Sequence, residues 1–292
     1  MEGMILLKNA IVILNYNDFQ MTKKLVDHIL KIEKMEKIII VDNCSLDNSL
    51  SYLKNEYDTI EKIDVINTKE NNGYATGNNF GINFAIEKYN PEYILVANPD
   101  IFFNEDVIIE INTVFEENDD IAILAPMVSK GYNSWQLPNF SKTLASNFLL
   151  LSKMFGNKVY KNQKERINYV DVVAGSLFAI RGDIFKKVNG FDERTFLYYE
   201  ENILAFKIKS LGYKSAILGN VTYDHCHAAS IKKTYKSKLH LFKIINKSIR
   251  IYIYYYLKIN FLQKIIFDFC SIIAYIERFL YDIYSRIMNR GK

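Results

Sequence analysis

The chain has 292 residues, of which 49% are apolar and 24% are charged, so it can bury a substantial core and is not a disordered or fibrous protein. Its three cysteines are odd in number and contain no CxxC pair, which argues against a disulfide framework or a cysteine zinc site and favours a reducing cytoplasm. The formal net charge is +4. Residues 231–292 carry thirteen Lys and Arg against three acids, a net +10, which leaves −6 for residues 1–230.

Short apolar runs alternate with amphipathic stretches through the first 125 residues. The run AIVIL precedes a stretch in which Met21, Leu25, Ile29 and Ile32 fall at helical spacing. The runs KIIIV, IDVIN, YILVA and IAILA follow, with helical stretches between them. Continuous Ile- and Val-rich strands separated by helices predict an α/β fold with a right-handed parallel sheet covered on both faces.

The second half of the chain is less regular. Residues 126–169 show little periodicity, and we expect a partly helical excursion in which Trp135 shapes the pocket of a second substrate. The stretch YVDVVAGSLFAIR then predicts a strand, GDIFKKV and ILAFKIKSLG predict helices, and KSAIL predicts a further strand. Since no linker interrupts this order, residues 1–230 are predicted to form one catalytic unit followed by a tail, residues 231–292.

Four predicted strands end in polar clusters: NYND, VDNCSLD, NTKENNGYATGNN and NPD. In open α/β sheets ligands bind outside the carboxyl ends of the strands, so a site is expected at this edge. Asp100 of NPD is either a turn and helix-start residue or a ligand of a divalent cation. Asp42 either forms an Asx-turn with Ser45 or accepts a hydrogen bond from the imide N–H of uracil or thymine.

The segment NNGYATGNNFG has glycines at positions 73, 77 and 81, which is not the GxGxxG pattern of dinucleotide-binding folds. A Rossmann dehydrogenase is therefore disfavoured. The segment either offers backbone N–H groups and amides to a phosphate or ribose at a helix N-terminus, or uses small residues to let a helix lie against the sheet.

Seven segments taken together carry a family resemblance: VILNYN, VDNCSLDNS, NNGYATGNNFG, NPD, GSLFAIR, GFDERTFLYYEEN and HCHAAS. In this order and at these separations they resemble family 2 inverting glycosyltransferases of the GT-A fold, in the rhamnosyl- and galactofuranosyltransferase-like branch. The resemblance covers roughly residues 8–235. It implies a Rossmann-like, mixed and mainly parallel sheet flanked by helices, with residues 1–125 as the nucleotide-sugar-binding half and 126–230 as the acceptor and catalytic half.

The resemblance implies a metal site and a catalytic base. NPD stands where related enzymes have DxD, so Asp100 would bind Mg²⁺ or Mn²⁺ and Asn98 replaces the first acid. His225 would complete the site, although His227 falls on the same face of a strand and is an alternative. Glu201 occupies the usual position of the base in a YYEDxDL segment.

Three features of this assignment leave alternatives open. Glu200 is the second candidate for the base, and either acid can instead cap the following helix. The second Asp of the YYEDxDL segment is an isoleucine here.

The resemblance also implies residues that bind the two substrates. For the donor they are Asn15, Asn17, Asp42, Asn72, Gly73, Asn79 and Asn98. For the acceptor they are Trp135, Gly175, Ser176, Asp192 and Tyr199.

The expected function is transfer of a sugar from a nucleoside-diphosphate sugar to a glycan or lipid-linked acceptor of cell-wall or capsule synthesis. Branch resemblance favours dTDP-rhamnose, followed by a UDP-sugar. The alternative is a catalytically weak nucleotide-sugar-binding subunit, which the single acid of NPD would fit. A nucleotidyltransferase is disfavoured because a glycine-rich, lysine-containing N-terminal loop is absent from the sequence.

The basic tail combines apolar periodicity with positive charge. From Leu262 onward apolar residues recur every three or four positions, which predicts an amphipathic helix, and the uncharged runs are too short to cross a bilayer. One interpretation is that this face packs on the catalytic domain or on a second copy in a homodimer. The other is that the tail lies on the anionic cytoplasmic leaflet. Nucleic acid is not expected as a partner, because the aromatic residues accompany Ile and Leu.

Overall fold

The computed structural model describes residues 7–155, 159–160, 164–226 and 238–289. Strands and helices alternate through the first part of the chain, as the apolar runs predict, except that a short strand at Ile101–Phe103, which the sequence analysis missed, follows the strand Tyr93–Ala97 directly. The elements are β1 (Asn9–Asn15), α1 (Phe19–Ile29), β2 (Lys37–Asp42), α2 (Ser49–Tyr57), β3 (Ile63–Asn67), α3 (Tyr74–Tyr89), β4 (Tyr93–Ala97), β5 (Ile101–Phe103), α4 (Glu105–Glu117) and β6 (Ile121–Val128).

The second part of the chain contains shorter elements. They are β7 (Ser134–Trp135), α5 (Phe140–Ser146), α6 (Leu149–Phe155), β8 (Ile167–Val170), β9 (Val172–Val173), β10 (Leu177–Arg181), α7 (Gly182–Lys187), α8 (Glu200–Ser210) and β11 (Lys214–His225). The prediction of one continuous strand over YVDVVAGSLFAIR is wrong, because this stretch holds three strands. The chain turns at Asp171, whose carboxylate accepts a hydrogen bond from the Leu137 backbone and pairs with Lys209.

Within the described residues nine strands form one sheet, in the order β3-β2-β1-β4-β10-β6-β11-β5 with β8 also paired to β11. The neighbours β3, β2, β1 and β4 are parallel, and β10 is antiparallel to both β4 and β6. Strands β7 and β9 form a separate antiparallel pair. The sheet is therefore mixed and mainly parallel, as the family resemblance implies.

Alternate residues of the central strands enter two different cores. Ile11 and Ile13 pack with α1 and α4 on one face, whereas Val12 packs with α3 and α7 on the other. Since both faces are covered, every central position is apolar, which explains the uninterrupted runs in the sequence. Helix α3 lies close to the sheet at Gly81, where a Cβ atom would be 2.5 Å from Cγ2 of Val41 and 2.6 Å from Cγ1 of Val12.

The tail is helical and is packed against the catalytic unit. It contains α9 (Lys238–Ile251), a π-helical turn (Tyr252–Tyr256) and α10 (Phe261–Asn289). Buried residues of the tail, among them Tyr252 and Phe267, form a third core with Ile203 of α8. The predicted boundary at residue 230 lies outside the described residues.

One face of α10 is buried and a wider apolar face is exposed. Phe267 and Ala274 are fully buried and Ser271 nearly so. The apolar residues that are more than a third exposed include Phe261, Leu262, Ile265, Ile266, Phe269, Ile272, Ile273, Ile276, Phe279, Leu280 and Ile283. The interpretation in which this wide face packs on the catalytic domain is therefore wrong. Among the helices of the described ranges, none combines the length and the hydropathy that a membrane span requires.

The close approach at Gly81 gives a test of the packing between α3 and the sheet. We expect Gly81→Ala to lower stability, because overpacking against stiff valines costs about 1–3 kcal/mol, more than the about 1 kcal/mol that alanine adds in helix propensity. Urea unfolding measures the difference. The control is Asn83→Ala, which is exposed on the same helix and should not lower stability; equal midpoints for the two variants would contradict this packing.

Candidate active site

The ends of β1 and β2 are joined by buried polar side chains. Asn15 donates from Nδ2 to Oδ2 of Asp42 at 2.8 Å, and Thr22 donates to Oδ1 of Asn15 at 2.8 Å. The Ser45 backbone N–H donates to Oδ1 of Asp42 at 2.9 Å, so the expected Asx-turn is present. Each carboxylate oxygen can accept a second hydrogen bond, and recognition of a nucleobase by Asp42 stays a prediction.

The loops beside Asp42 are fixed by amide side chains. Asn17 is exposed, and its Oδ1 accepts from the Leu46 backbone at 2.7 Å. Asn43 donates to the Gly73 carbonyl at 3.2 Å, which ties the start of α3 to β2. Asn72, immediately before Gly73, is exposed at this edge. This placement is compatible with the donor-binding roles predicted for Asn17, Asn72 and Gly73, and those roles stay predictions.

Two predicted site residues lie in a neighbouring cleft. Asn79 donates to the Phe191 carbonyl at 3.0 Å and accepts from its N–H at 2.9 Å, which ties α3 to the turn after α7. Asp192 accepts side-chain hydrogen bonds from Nε and Nη2 of Arg194 and from the Tyr256 hydroxyl. Both residues line a polar cleft of about 810 Å³. Their predicted roles in substrate binding stay predictions, and the contacts seen here are structural.

Asp100 and His225 meet at the end of β4. The antiparallel pairing of β5 with β11 places His225 opposite Ile101, and Nε2 of His225 lies 3.3 Å from Oδ1 of Asp100. Their side chains are 11% and 18% exposed, so both are largely buried where they meet.

The Asp100 and His225 pair offers one carboxylate oxygen and one imidazole nitrogen to a cation. Over the described residues, three or more His, Cys, Asp or Glu side chains do not gather in any place that could hold a metal ion. A carboxylate oxygen suits both Mg²⁺ and Mn²⁺, whereas an imidazole nitrogen is an unusual ligand for Mg²⁺, and phosphate oxygens and water would supply the remaining ligands. His227, the alternative ligand, lies outside the described residues.

A chain of contacts leads from this pair to the acidic residues of α8. The Asn98 backbone N–H donates to the Ser176 carbonyl at 2.9 Å. The hydroxyls of Ser176 and Tyr223 are 2.7 Å apart, and the Tyr223 ring is stacked with His225. The backbone N–H of Gly175, next to Ser176, donates to Oε1 of Glu201 at 3.2 Å. The predicted metal ligands and the predicted base are thus linked through the adjacent residues Gly175 and Ser176.

The two acidic residues begin α8 and differ in environment. Glu200 is buried and its Oε2 has no hydrogen-bond partner, and burial together with the nearby Glu201 raises its pKa well above the usual value. Glu201 is partly exposed, and burial raises its pKa as well. The two preceding residues, Tyr198 and Tyr199, have φ of 68° and 69°, a strained conformation for residues other than glycine.

Tyr74 is a site residue that the sequence analysis missed. Its hydroxyl donates to the Gly175 carbonyl at 2.6 Å. Burial and the charges of Glu201 and Glu200 raise the pKa of Tyr74 well above its usual value, so the phenol remains a donor. A Cβ atom at Gly175 would lie 2.8 Å from both the Tyr74 hydroxyl and Oε1 of Glu201, so this approach requires glycine. Only its position beside Gly73 could have indicated Tyr74.

Trp135 and Tyr199 flank the same helix terminus. Nε1 of Trp135 donates to Oδ1 of Asn202 at 2.8 Å, one residue after Glu201. The ring of Tyr199 lies against that of Tyr252, with centroids 5.5 Å apart. Trp135 therefore contacts the residue that follows Glu201, and Tyr199 contacts the tail. Both acceptor roles stay predictions.

Two curated proteins are similar to this chain in sequence. A hexosyltransferase of low-salt glycan biosynthesis from Haloferax volcanii, Agl10, is 28% identical over 194 residues, which are 66% of this chain and 58% of the relative. The rhamnosyltransferase WbbL from Escherichia coli K12 is 29% identical over 213 residues, which are 70% of this chain and 78% of the relative. The match therefore spans little more than half the length of Agl10.

Several solved structures share the fold. GalNAc-T7 with UDP, GalNAc and Mn²⁺ has a TM-score of 0.60 at 15% identity, over 77% of this chain and 44% of its own. The mannosyltransferase PcManGT from Pyrobaculum calidifontis with GDP-Man and Mn²⁺ has a TM-score of 0.55 at 14% identity, over 84% and 65%. The 1–349 fragment of TarS from S. aureus with UDP has a TM-score of 0.54 at 15% identity, over 88% and 77%.

The fold that this chain shares with these structures is the GT-A fold expected from the sequence. Residues 10–189 match the family model for "Glycosyl transferase family 2". They include the polar strand ends, the NPD segment and the turn at Gly175. Because this match covers more than half of the chain, the protein belongs to glycosyl transferase family 2.

Proposed function

We propose that this protein transfers a hexosyl group, with rhamnose favoured, from a nucleoside-diphosphate sugar to a hydroxyl of a glycan or lipid-linked acceptor. The proposed reaction inverts the anomeric carbon and uses Mg²⁺ or Mn²⁺. The names of the relatives, a hexosyltransferase of glycan biosynthesis and a rhamnosyltransferase, support it. The observation that carries it is the connection of Asp100 and His225 to Glu201 through Ser176 and Gly175.

Glu201 is the proposed general base. The residue is partly exposed, its carboxylate is held by the Gly175 N–H, and it would accept the proton of the acceptor hydroxyl as that oxygen attacks the anomeric carbon. Burial raises the pKa of Glu201, which makes its ionised form a stronger base. Glu200 remains protonated over a wider pH range, because its carboxyl group is buried without a partner for Oε2.

Asp100 and His225 would hold the cation, which when bound stabilises the negative charge that develops on the leaving diphosphate. Asp42 would accept the imide N–H of thymine or uracil, at the end of the strand next to β1. Asn15 supports this role by holding one oxygen of Asp42, so that the carboxylate has a fixed orientation.

We further propose that the protein works at the inner face of the cell membrane, held there by the exposed apolar face of α10. So many exposed apolar residues on one helix are unusual in contact with water. The tail also carries a net +10 charge, which attracts anionic lipid. A homodimer through this face is the alternative. It would bring two strongly positive tails together, whereas an anionic surface neutralises them.

The proposed activity is tested by incubating the protein with dTDP-rhamnose or UDP-sugars, an oligosaccharide acceptor and Mn²⁺. We expect transfer to the acceptor, with the anomeric configuration inverted in the NMR spectrum of the product. Glu201→Gln should lower kcat about a hundredfold or more with the donor KM little changed, because glutamine keeps the size of the side chain but cannot accept the proton.

Glu200→Gln is the matched comparison for the base. It should affect kcat less than Glu201→Gln. If Glu200→Gln lowers kcat more than Glu201→Gln does, the base is Glu200 and not Glu201. Donor binding by the wild-type protein without any transfer would instead favour the nucleotide-sugar-binding subunit.

The metal site is tested by thermal denaturation with a nucleoside diphosphate and Mn²⁺. A ligand that binds only the folded state raises the melting temperature, so the wild-type protein should be stabilised by the two together. Asp100→Asn should abolish both this stabilisation and turnover while leaving the fold intact. Asp119→Asn, whose carboxylate is fully exposed, is the control and should behave as wild type. Turnover by Asp100→Asn would refute the assignment.

Membrane association is tested by cosedimentation with liposomes. We expect binding that increases with the fraction of anionic lipid, weakens with salt and is lost on truncation after residue 235. The double variant Phe269→Glu/Ile276→Glu changes two exposed residues of α10 and should also abolish binding. Ile109→Glu/Tyr132→Glu, which changes exposed residues of the catalytic unit, is the control. Equal recovery in the supernatant with and without anionic liposomes would favour the dimer.

A further inference from the structure

The tail touches the segment that precedes the catalytic acids. This segment, residues 192–199, is called the catalytic loop here. Ser248 donates from Oγ to the Leu197 carbonyl at 3.1 Å, and Tyr256 donates to Oδ2 of Asp192 at 2.7 Å. Between them the Tyr252 ring packs against Tyr199. The three tail residues are four apart in sequence, so α9 and the π-helical turn present one continuous face to the loop.

Ser248 and Tyr252 are buried where they meet the loop, whereas Tyr256 is partly exposed. Ser248 and Tyr252 are 1% and 0% exposed, and the Tyr252 hydroxyl donates to the Pro138 carbonyl at 2.8 Å. Burial alone would raise the pKa of Asp192, but hydrogen bonds from Arg194 and Tyr256 outweigh burial and lower it to about 2. The Tyr256 contact is therefore made to an ionised carboxylate, which strengthens it.

The loop needs such support because its last two residues are strained. Tyr198 and Tyr199 both adopt positive φ, immediately before Glu200. Conformations of this kind persist only where the surrounding structure fixes them, and they occur preferentially at active sites. The contacts from α9 and the π-helical turn lie at Leu197 and Tyr199, on both sides of Tyr198.

We propose that the first part of the tail belongs to the active site, with Ser248, Tyr252 and Tyr256 as positioning residues that hold the catalytic loop in its strained form and so direct Glu201 toward the acceptor. The proposal rests on the proposed transferase function. It assigns to the tail a role separate from lipid binding, since these residues lie on α9 and the π-helical turn and the exposed apolar face lies on α10.

The proposal has a signature that loss of stability alone would not produce. If the loop relaxes, Glu201 loses its fixed geometry and becomes more hydrated. Misplaced groups lower kcat, and hydration lowers the pKa of a buried carboxyl. Since the base acts in its ionised form, the acid limb of the pH profile of kcat would then move to lower pH.

The test uses the full-length double variant Ser248→Ala/Tyr256→Phe, which removes both hydrogen bonds to the loop and keeps the aromatic ring. We expect kcat to fall about tenfold while the donor KM changes less than about twofold, with the acid limb displaced to lower pH. Amide hydrogen exchange in residues 192–202 should become faster.

Tyr254→Phe is the matched control. Tyr254 lies in the same π-helical turn and donates to an Asp carboxylate at 2.8 Å, but its partner is Asp268 of α10. It should leave kcat, the acid limb and exchange in residues 192–202 as in wild type. A double variant whose kcat and acid limb match those of Tyr254→Phe would overturn the proposal.

The amide hydrogen exchange measurement tests the positioning role independently of the proposed transferase function. If the wild-type protein transfers no sugar, the function fails, and faster exchange in the double variant alone would still show that the tail holds the loop. Unchanged exchange would overturn the positioning role whatever the activity.

Discussion

The antiparallel pairing of β10 with β4 is the constraint on which the candidate site depends. Leu177 is opposite Ala97, and the ladder continues into the hydrogen bond between Asn98 and Ser176. This register holds the turn at Gly175 against the NPD segment. A shift of one residue would exchange the faces of β10 and move the Gly175 N–H away from Glu201. The pairing therefore holds the NPD segment, which contains the proposed metal ligand Asp100, next to the turn that contacts the proposed base.

The acidic pair at the start of α8 costs stability. A buried carboxyl group with an unpaired oxygen is unfavourable when ionised, and Glu200 has a pKa well above its usual value for this reason. The stability associated with its protonated form is complete below the ordinary pKa of glutamate and is lost as pH rises through the raised value. Such a penalty at neutral pH is typical of residues retained for function.

The helices of the tail are tied to one another and to the catalytic unit. Asp268 of α10 accepts hydrogen bonds from Arg250 and Tyr254, which ties α10 to α9 and the π-helical turn. Helix α9 and the π-helical turn in turn contact the catalytic loop. Arg278 donates to the Asn147 carbonyl, which fixes α10 to the end of α5. On the proposed function, the same helical unit that would contact lipid also supports the base, which would keep the site near a lipid-linked acceptor.

The sequence by itself determined the α/β class, the order of the first strands and helices, and the family. These follow from local patterns, because continuous apolar runs mark strands buried on both faces and polar residues mark their ends. It also indicated Asp42 and Asp100 as candidates, because each lies at the carboxyl end of a strand, and the family resemblance added Glu201.

Only the tertiary structure decided how the second half is arranged. The strands within YVDVVAGSLFAIR, the contact of Tyr74 with Gly175, and the packing of Tyr252 and Tyr256 on the catalytic loop join residues that are distant in the chain. The exposed face of α10 belongs with them, because periodicity identifies an apolar stripe but not which side of a helix finds a partner. Contacts of this kind depend on which surfaces meet when the chain folds, and no local pattern of residues specifies that.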